Sequence, residues 1–278
     1  MHQESENIIK KRRVKKTVYY FFTILCLCVF IYSLIHVIGW VLDNRRNEEL
    51  KSMASRDVSE KKPADDISEN VNPPEDKSDD YWDYIKMDML SVNFDELLKK
   101  NPDTVGWIKV NGTNINYPVV QSKDNDYYLY HAYDRSKNDA GWIFADYRND
   151  MVNLGSNTII YGHGRLNNTM FGSLKGILNS SWYSDKNNYI VKFSNLKENT
   201  LWQVFSVYYI EAEDYYIKTS FKGDEYSKFL SIMKERSVKN FNTDVNINDK
   251  IITLSTCKDI EGKQRVVLHA KLIKRSQR

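Results

Sequence analysis

Hydrophobic and polar positions change character twice along the 278 residues. Residues 17–42 form an apolar run without a charged side chain. As a helix rising about 1.5 Å per residue, this run exceeds a hydrocarbon core of about 30 Å and is expected to cross a bilayer with some tilt. Residues 43–78 are rich in Lys, Glu, Asp and Ser, contain Pro63, Pro73 and Pro74, and lack aromatics. Such a composition buries too little surface to fold alone, so a linker is expected, or a frayed extension of the apolar helix around residues 48–53. From residue 81 onward, apolar residues recur with regular spacing. Trp82, Ile85 and Met89 sit at helical intervals within 81–90, and Asn93 with Glu96 resembles a capping box for a helix over 94–100.

Short β-rich runs then dominate, at 106–110, 115–120, 141–145, 157–161, 189–193, 201–210, 251–256 and 266–273. Asn, Gly and Asp turns separate the runs, and no βαβ alternation is present. The expected fold class is therefore mostly β, an eight-stranded closed or nearly closed β-barrel. Between the sixth and seventh runs, Tyr226, Phe229, Leu230 and Met233 repeat at i, i+3, i+4 and i+7 behind Asp224 as candidate cap, which predicts an inserted helix. The expected organisation is a tail over 1–16, an apolar helix over 17–42, a linker over 43–80 and one barrel domain over 81–278.

Charge changes this picture only at the N-terminus. Forty Lys and Arg stand against 37 Asp and Glu, a formal net charge of +3. Residues 1–16 carry six basic and two acidic side chains, which leaves −1 for everything after them. That balance argues against an electrostatic nucleic-acid surface. It reports topology instead: more positive charge precedes the apolar run than the Arg45 and Arg46 that follow it, which predicts a cytoplasmic N-terminus and an extracytoplasmic barrel. The run ends in Gly39, Trp40, Val41 and Leu42 and then charges, with no small-residue cleavage site, so it reads as an uncleaved signal anchor in the cell membrane.

Of three cysteines, Cys26 and Cys28 lie in the apolar run, which leaves Cys257 as the only thiol of the expected barrel. Cys257 closes one strand run and Arg265 opens the next, so the two are expected to face each other across a hairpin-like connection. A thiol at a strand end beside a permanent cation is a setting for an accessible thiolate, although a free cysteine is also commonly a small buried hydrophobe. A nucleophilic thiol needs an acid–base partner, and the barrel offers His131, His163 and His269. His163 ends an apolar run in a Gly-His-Gly turn, where its ring can project from a rim. His269 lies four residues beyond Arg265, about 13 Å along a strand, and is expected to be a structural polar-face residue. His131 follows an aromatic cluster and is expected to pack or lie at the surface.

Ser255 has the strand parity of Cys257, and with Thr256 is a candidate for substrate binding; a hydroxyl paired to backbone is the alternative. Tyr161, Trp202, Phe205 and Tyr208 are expected in the core, and Asp146, Asn149 and Asp150 in a solvated turn. No P-loop, no HExxH and no spaced His/Cys set for zinc is present, so neither a cofactor nor a metal is expected.

The stretches TLSTC at 253–257, an arginine eight residues later and YGH at 161–163 resemble the Cys, His and Arg of the sortases, cell-wall cysteine transpeptidases of Gram-positive bacteria. DTVGWIKVNGTNINYPVVQ at 103–121 and GWIFADYRN at 141–149 resemble the first barrel strands of class B sortases, and the inserted helix resembles the long helical insertion of that class. The resemblance implies catalysis by Cys257, His163 and Arg265. Its partners would be secreted proteins bearing a C-terminal sorting signal, cleaved at a threonine carbonyl, and an amine of peptidoglycan precursor. A pilus-polymerising sortase and a membrane-anchored cysteine peptidase are the enzymatic alternatives, and a non-catalytic envelope scaffold is the other. Polymerising class C members usually have a second hydrophobic segment after the barrel and a lid before it, whereas residues 274–278 are polar, which weakens the pilus reading.

Overall fold

The computed structural model describes residues 2–61, 68–70, 79–257 and 264–278. In chain order the elements are helix α1 (His2–Ser55), strands β1 (Val58–Lys61) and β2 (Ser68–Asn70), helix α2 (Asp79–Tyr84), strand β3 (Met89–Val92) and helix α3 (Phe94–Lys100). Strands β4 (Thr104–Val110), β5 (Asn116–Val120), β6 (Phe144–Ala145) and β7 (Asn157–His163) follow, then helix α4 (Ser180–Tyr183). The chain continues through β8 (Ile190–Asn195), β9 (Glu198–Glu211), helix α5 (Glu225–Glu235), β10 (Ile251–Cys257) and β11 (Gln264–Gln277).

Eight strands close on themselves in the order β10, β7, β6, β5, β4, β8, β9, β11, with β11 pairing back onto β10. They coincide with the eight runs read from the sequence, and α5 lies between the sixth and seventh of them, as expected. Closure removes the exposed edges that open sheets must protect. The 14-residue strands β9 and β11 bend to make this possible. Their register shifts between His269 and Ala270, and again between Leu272 and Lys274, and such bulges sharpen local twist.

Two apolar clusters flank the same strands. One fills the barrel, with Trp142, Trp202, Val204, Ile252, Leu254 and Leu268 among its members. The other lies between α5 and the sheet, where Phe229, Leu230 and Met233 meet Phe205, Tyr208 and Val267. The sequence stripe Trp202, Phe205, Tyr208 is thus core throughout, but it divides between the two clusters. Every residue of β8 is buried because both its faces are covered.

The structure departs from expectation in the N-terminal region and at the cap of the inserted helix. Helix α2 stops at Tyr84, and Met89, expected on the same helix, instead starts β3, which pairs with β1. Half of the capping box at Asn93 forms: its side chain accepts from the Glu96 amide at 3.5 Å, whereas its own amide donates to the Asp57 carbonyl and the Glu96 carboxylate pairs with Lys99. Asp224 occupies the α5 cap position without capping; its carboxylate pairs with Lys228 one turn on. Lastly, residues 1–46 and 47–278 are separate compact units, so residues 47–61 of the expected linker belong to the folded part. Leu50 and Ala54 are buried there, because the helical spacing of these small and apolar side chains gives a polar-looking segment one apolar stripe. The remaining linker residues 62–67 and 71–78 lie outside the described residues, as does the charged loop 258–263. In the first unit, α1 contains a stretch long and apolar enough to cross a membrane.

Candidate active site

Parallel pairing of β7 with β10 builds the centre of the site. The register runs from Ile251 opposite Asn157 to Cys257 opposite His163, so the last residues of both strands are neighbours. Paired strands lie about 4.8 Å apart, so the two backbones are at close range. On the other side of β10, the antiparallel register with β11 reaches Ser255 opposite Val267. Continuing it by two residues aligns Cys257 with Arg265. His163, Cys257 and Arg265 therefore stand on three adjacent strands at one rim of the barrel.

The His163 ring is held along its Nε2–Cδ2 edge. Its Nε2 lies 2.8 Å from the carbonyl oxygen of Leu129. A carbonyl only accepts, so Nε2 carries the hydrogen and donates, which makes Nδ1 the nitrogen that can take up and release a proton. The backbone of Gly141 backs the same edge at a φ of +58°, and a Cβ there would come within 2.8 Å of both His163 Cδ2 and the Leu129 oxygen and within 2.6 Å of the Tyr128 oxygen. Only glycine satisfies both the dihedral and the space.

A cavity of about 420 Å³ opens at this rim, walled by Leu129, Tyr161, His163, Tyr216, Thr256 and Arg265, among others. Arg265 is half-buried, and among the described residues its guanidinium meets only the carbonyl of Gln264, at 3.3 Å. No carboxylate among the described residues neutralises it. Ser255 and Thr256 both reach the cavity wall. Ser255 Oγ lies 3.1 Å from the Tyr216 hydroxyl. Thr256 Oγ1 accepts from the Val266 amide at 3.0 Å, which secures the start of β11.

Asp146 corrects the sequence reading of a solvated turn. Its side chain is fully buried, and it accepts from Arg148 Nε at 2.8 Å and Nη2 at 2.6 Å, from Tyr161 Oη at 2.9 Å and from Asn125 Nδ2 at 3.1 Å. Burial alone would raise its carboxyl pKa, but Arg148 and the other donors hold it below the usual carboxylate range. Burial, and then the Asp146 charge, push Tyr161 upward, so that hydroxyl stays a donor. Tyr161, assigned to the core from sequence, is therefore both packed and part of the cavity wall. Arg148 Nη2 also donates to the Ile217 carbonyl at 3.0 Å, tying the barrel to the segment between β9 and α5 that forms the opposite wall.

The other histidines lie elsewhere. His131 stacks on Tyr127 with ring centroids 4.0 Å apart, in agreement with a packing role. His269 is structural but not on a polar face: it is fully buried, with Tyr208 Oη and Thr253 Oγ1 each 2.8 Å from a ring nitrogen. Sequence reading missed Leu129, Gly141, Asp146, Arg148 and Tyr216, which reach the site through loops whose paths no local pattern reveals.

The family model described as "Sortase domain" matches residues 108–273, which contain all of these strand residues. Sortase B of Staphylococcus aureus is 44% identical over 184 residues, 65% of this chain and 75% of that protein. A solved S. aureus sortase B–substrate complex superposes with a TM-score of 0.61 at 44% identity, covering 65% of this chain and 84% of that one. A sortase B from Bacillus anthracis reaches a TM-score of 0.67 at 34% identity, covering 84% and 99%. With a closed eight-stranded barrel, an inserted helix and these matches spanning most of the folded unit, the chain belongs to the sortase family, as a class B cysteine transpeptidase.

Proposed function

We propose that the enzyme cleaves a C-terminal sorting signal of secreted proteins at a threonine carbonyl and transfers the protein to an amine of peptidoglycan precursor. The observation that carries this reading is the parallel register of Cys257 with His163, beside a cavity that His163 and Arg265 line. Cys257 gives its thiol proton to His163 Nδ1 and, as thiolate, attacks the threonine carbonyl carbon to give a tetrahedral oxyanion. The C–N bond then breaks as His163 Nδ1 gives its proton to the departing amine, leaving a thioester. The acceptor amine attacks the thioester, His163 takes the proton released, and the thiolate leaves. One amide has been exchanged for another. Arg265 stabilises the oxyanion with two planar donors, a term whose removal typically costs about 3 kcal/mol. Ser255 and Thr256 line the groove for the signal. Supporting the choice of ligands, one solved sortase B relative is a substrate complex and another is complexed with triglycine.

The apolar stretch of α1 would anchor the enzyme in the cell membrane with its N-terminus cytoplasmic, in line with the basic residues of 1–16. Incubation with NPxTN and NPxTG peptides, with and without triglycine, tests the reading by mass spectrometry. A thioacyl adduct on Cys257 and a peptide–triglycine product are expected. Cleavage that yields only the hydrolysed acid at saturating triglycine would favour a peptidase, and no adduct with either peptide would exclude this substrate class.

A further inference from the structure

Two parts of the His163 cradle, the Leu129 carbonyl and the Gly141 backbone, belong to one loop that folds back on itself. Trp142 N donates to Tyr128 O at 2.9 Å, and Asn138 N donates to Tyr130 O at 2.9 Å. The carbonyl of Gly141 itself receives a bond from a distant residue: Asn47 Nδ2 donates to it at 3.1 Å. The Asn47 amide oxygen in turn accepts from Asn138 Nδ2 at 3.1 Å. Asn138 Oδ1 closes the chain by accepting from the Ala140 amide at 2.8 Å. Asn47 is 2% exposed, on the part of α1 that also buries Leu50 and Ala54.

A buried primary amide that satisfies both its donor and its acceptor on one loop fixes that loop's position more sharply than apolar packing does, because hydrogen bonds weaken steeply with angle. Gly141 has no Cβ to adjust: its backbone is itself the surface against the His163 ring. Movement of its carbonyl thus moves the wall of the ring pocket. We infer that Asn47 is a positioning residue for the transpeptidation, holding the 138–142 segment so that His163 presents Nδ1 to the reacting atoms. The inference rests on the acid–base assignment of His163 made above. It gives a function to a residue in a segment whose composition reads as a linker.

The test uses the full-length protein in detergent micelles and a fluorogenic NPxTN peptide, with 15N-labelled histidine to read the His163 tautomer. Asn47→Ala and Asn47→Asp both lose the donor to Gly141, and Asp retains the acceptor toward Asn138. Both are expected to lower kcat roughly tenfold with KM within about twofold, since small misplacements of a reacting group cost rate rather than binding. The His163 15N shifts should move away from the pure Nε2–H tautomer. Leu50→Ala removes packing from the same helix without touching Gly141, and should lower Tm while leaving kcat and the tautomer unchanged. Wild-type kcat and tautomer in Asn47→Ala, or kcat losses in Asn47→Ala and Leu50→Ala that simply track Tm, would overturn the inference. A His163→Gln variant separates the two levels. If it is inactive while Asn47→Ala is normal, only the positioning role falls; if it retains turnover, the acid–base assignment falls and takes this inference with it.

Discussion

His163 and His269 flank the same strand, one on each side of β10, four positions apart along it: His163 is opposite Cys257 and His269 is opposite Thr253. Their surroundings share almost nothing. His163 stands at the strand end, half-buried beside a cavity, with one ring nitrogen bound by a carbonyl. His269 lies within the sheet between the hydroxyls of Tyr208 and Thr253, next to Phe205, and without solvent access. Burial first, and then the Arg236 charge, lower its pKa to about 3, so it stays neutral wherever the protein is folded at ordinary pH. An imidazole becomes an acid–base group only where water or substrate can exchange its proton. About 13 Å along a strand separates that condition from its opposite.

The sharpest way to break the comparison is at the rim. Cys257→Ala should abolish the thioacyl adduct altogether while circular dichroism and Tm stay at wild-type values; an adduct still seen by intact mass would place the nucleophile elsewhere. Next in size, Arg265→Lys keeps the charge but loses the planar fork, and the acylation rate should fall about a hundredfold. Stopped-flow measurement of the first turnover decides this, and a near-normal rate would remove Arg265 from the oxyanion role.

Gly141→Ala probes the ring pocket directly. The added methyl meets His163 and two carbonyls at a positive φ, so kcat should drop by roughly tenfold or more and stability by about 1 kcal/mol or more. Steady-state kinetics with parallel urea melts would show whether both occur.

The smallest effect on activity belongs to the buried histidine. His269→Gln should leave neutral-pH turnover within about twofold, because no reacting group contacts it, while leaving one hydroxyl poorly paired at a cost of about 1–3 kcal/mol. Its pH dependence is more telling. The unfolded imidazole titrates near 6.5 and the folded one near 3, so between these values the unfolded chain binds the extra proton. Wild-type stability is complete above 6.5 and falls with pH through that window, with a slope approaching 1.4 kcal/mol per pH unit at most, about one proton's worth. The variant lacks this slope, so its stability deficit should shrink on acidification from about pH 7 to about pH 4. A constant deficit in urea titrations would show that His269 is not held neutral.

Strand-forming runs and the i, i+4 stripe of α5 are local properties, so the eight strands of the barrel and its inserted helix were legible in the chain. The strand-end positions of Cys257, His163 and Arg265 were legible for the same reason, since each lies where an apolar pattern breaks into a polar one. Met89 was misplaced because a helical spacing does not exclude a strand after an intervening turn. Asn47 and Leu50 were hidden in a charged, proline-containing stretch in which only a partner surface reveals the buried stripe.

By itself, then, the sequence determined which segments become strands, where each strand stops, and which side chains stand at those ends, because alternation and turn chemistry act between near neighbours. Tertiary structure alone decided which strand ends meet and what encloses them. Pairing β7 with β10 joins residues about a hundred positions apart, and the walls made by Leu129, Gly141, Asp146 and Tyr216 come from loops fixed only by contacts across the fold. The fate of a buried polar group such as His269 or Asp146 depends on partners that close around it, and no local pattern encodes that enclosure.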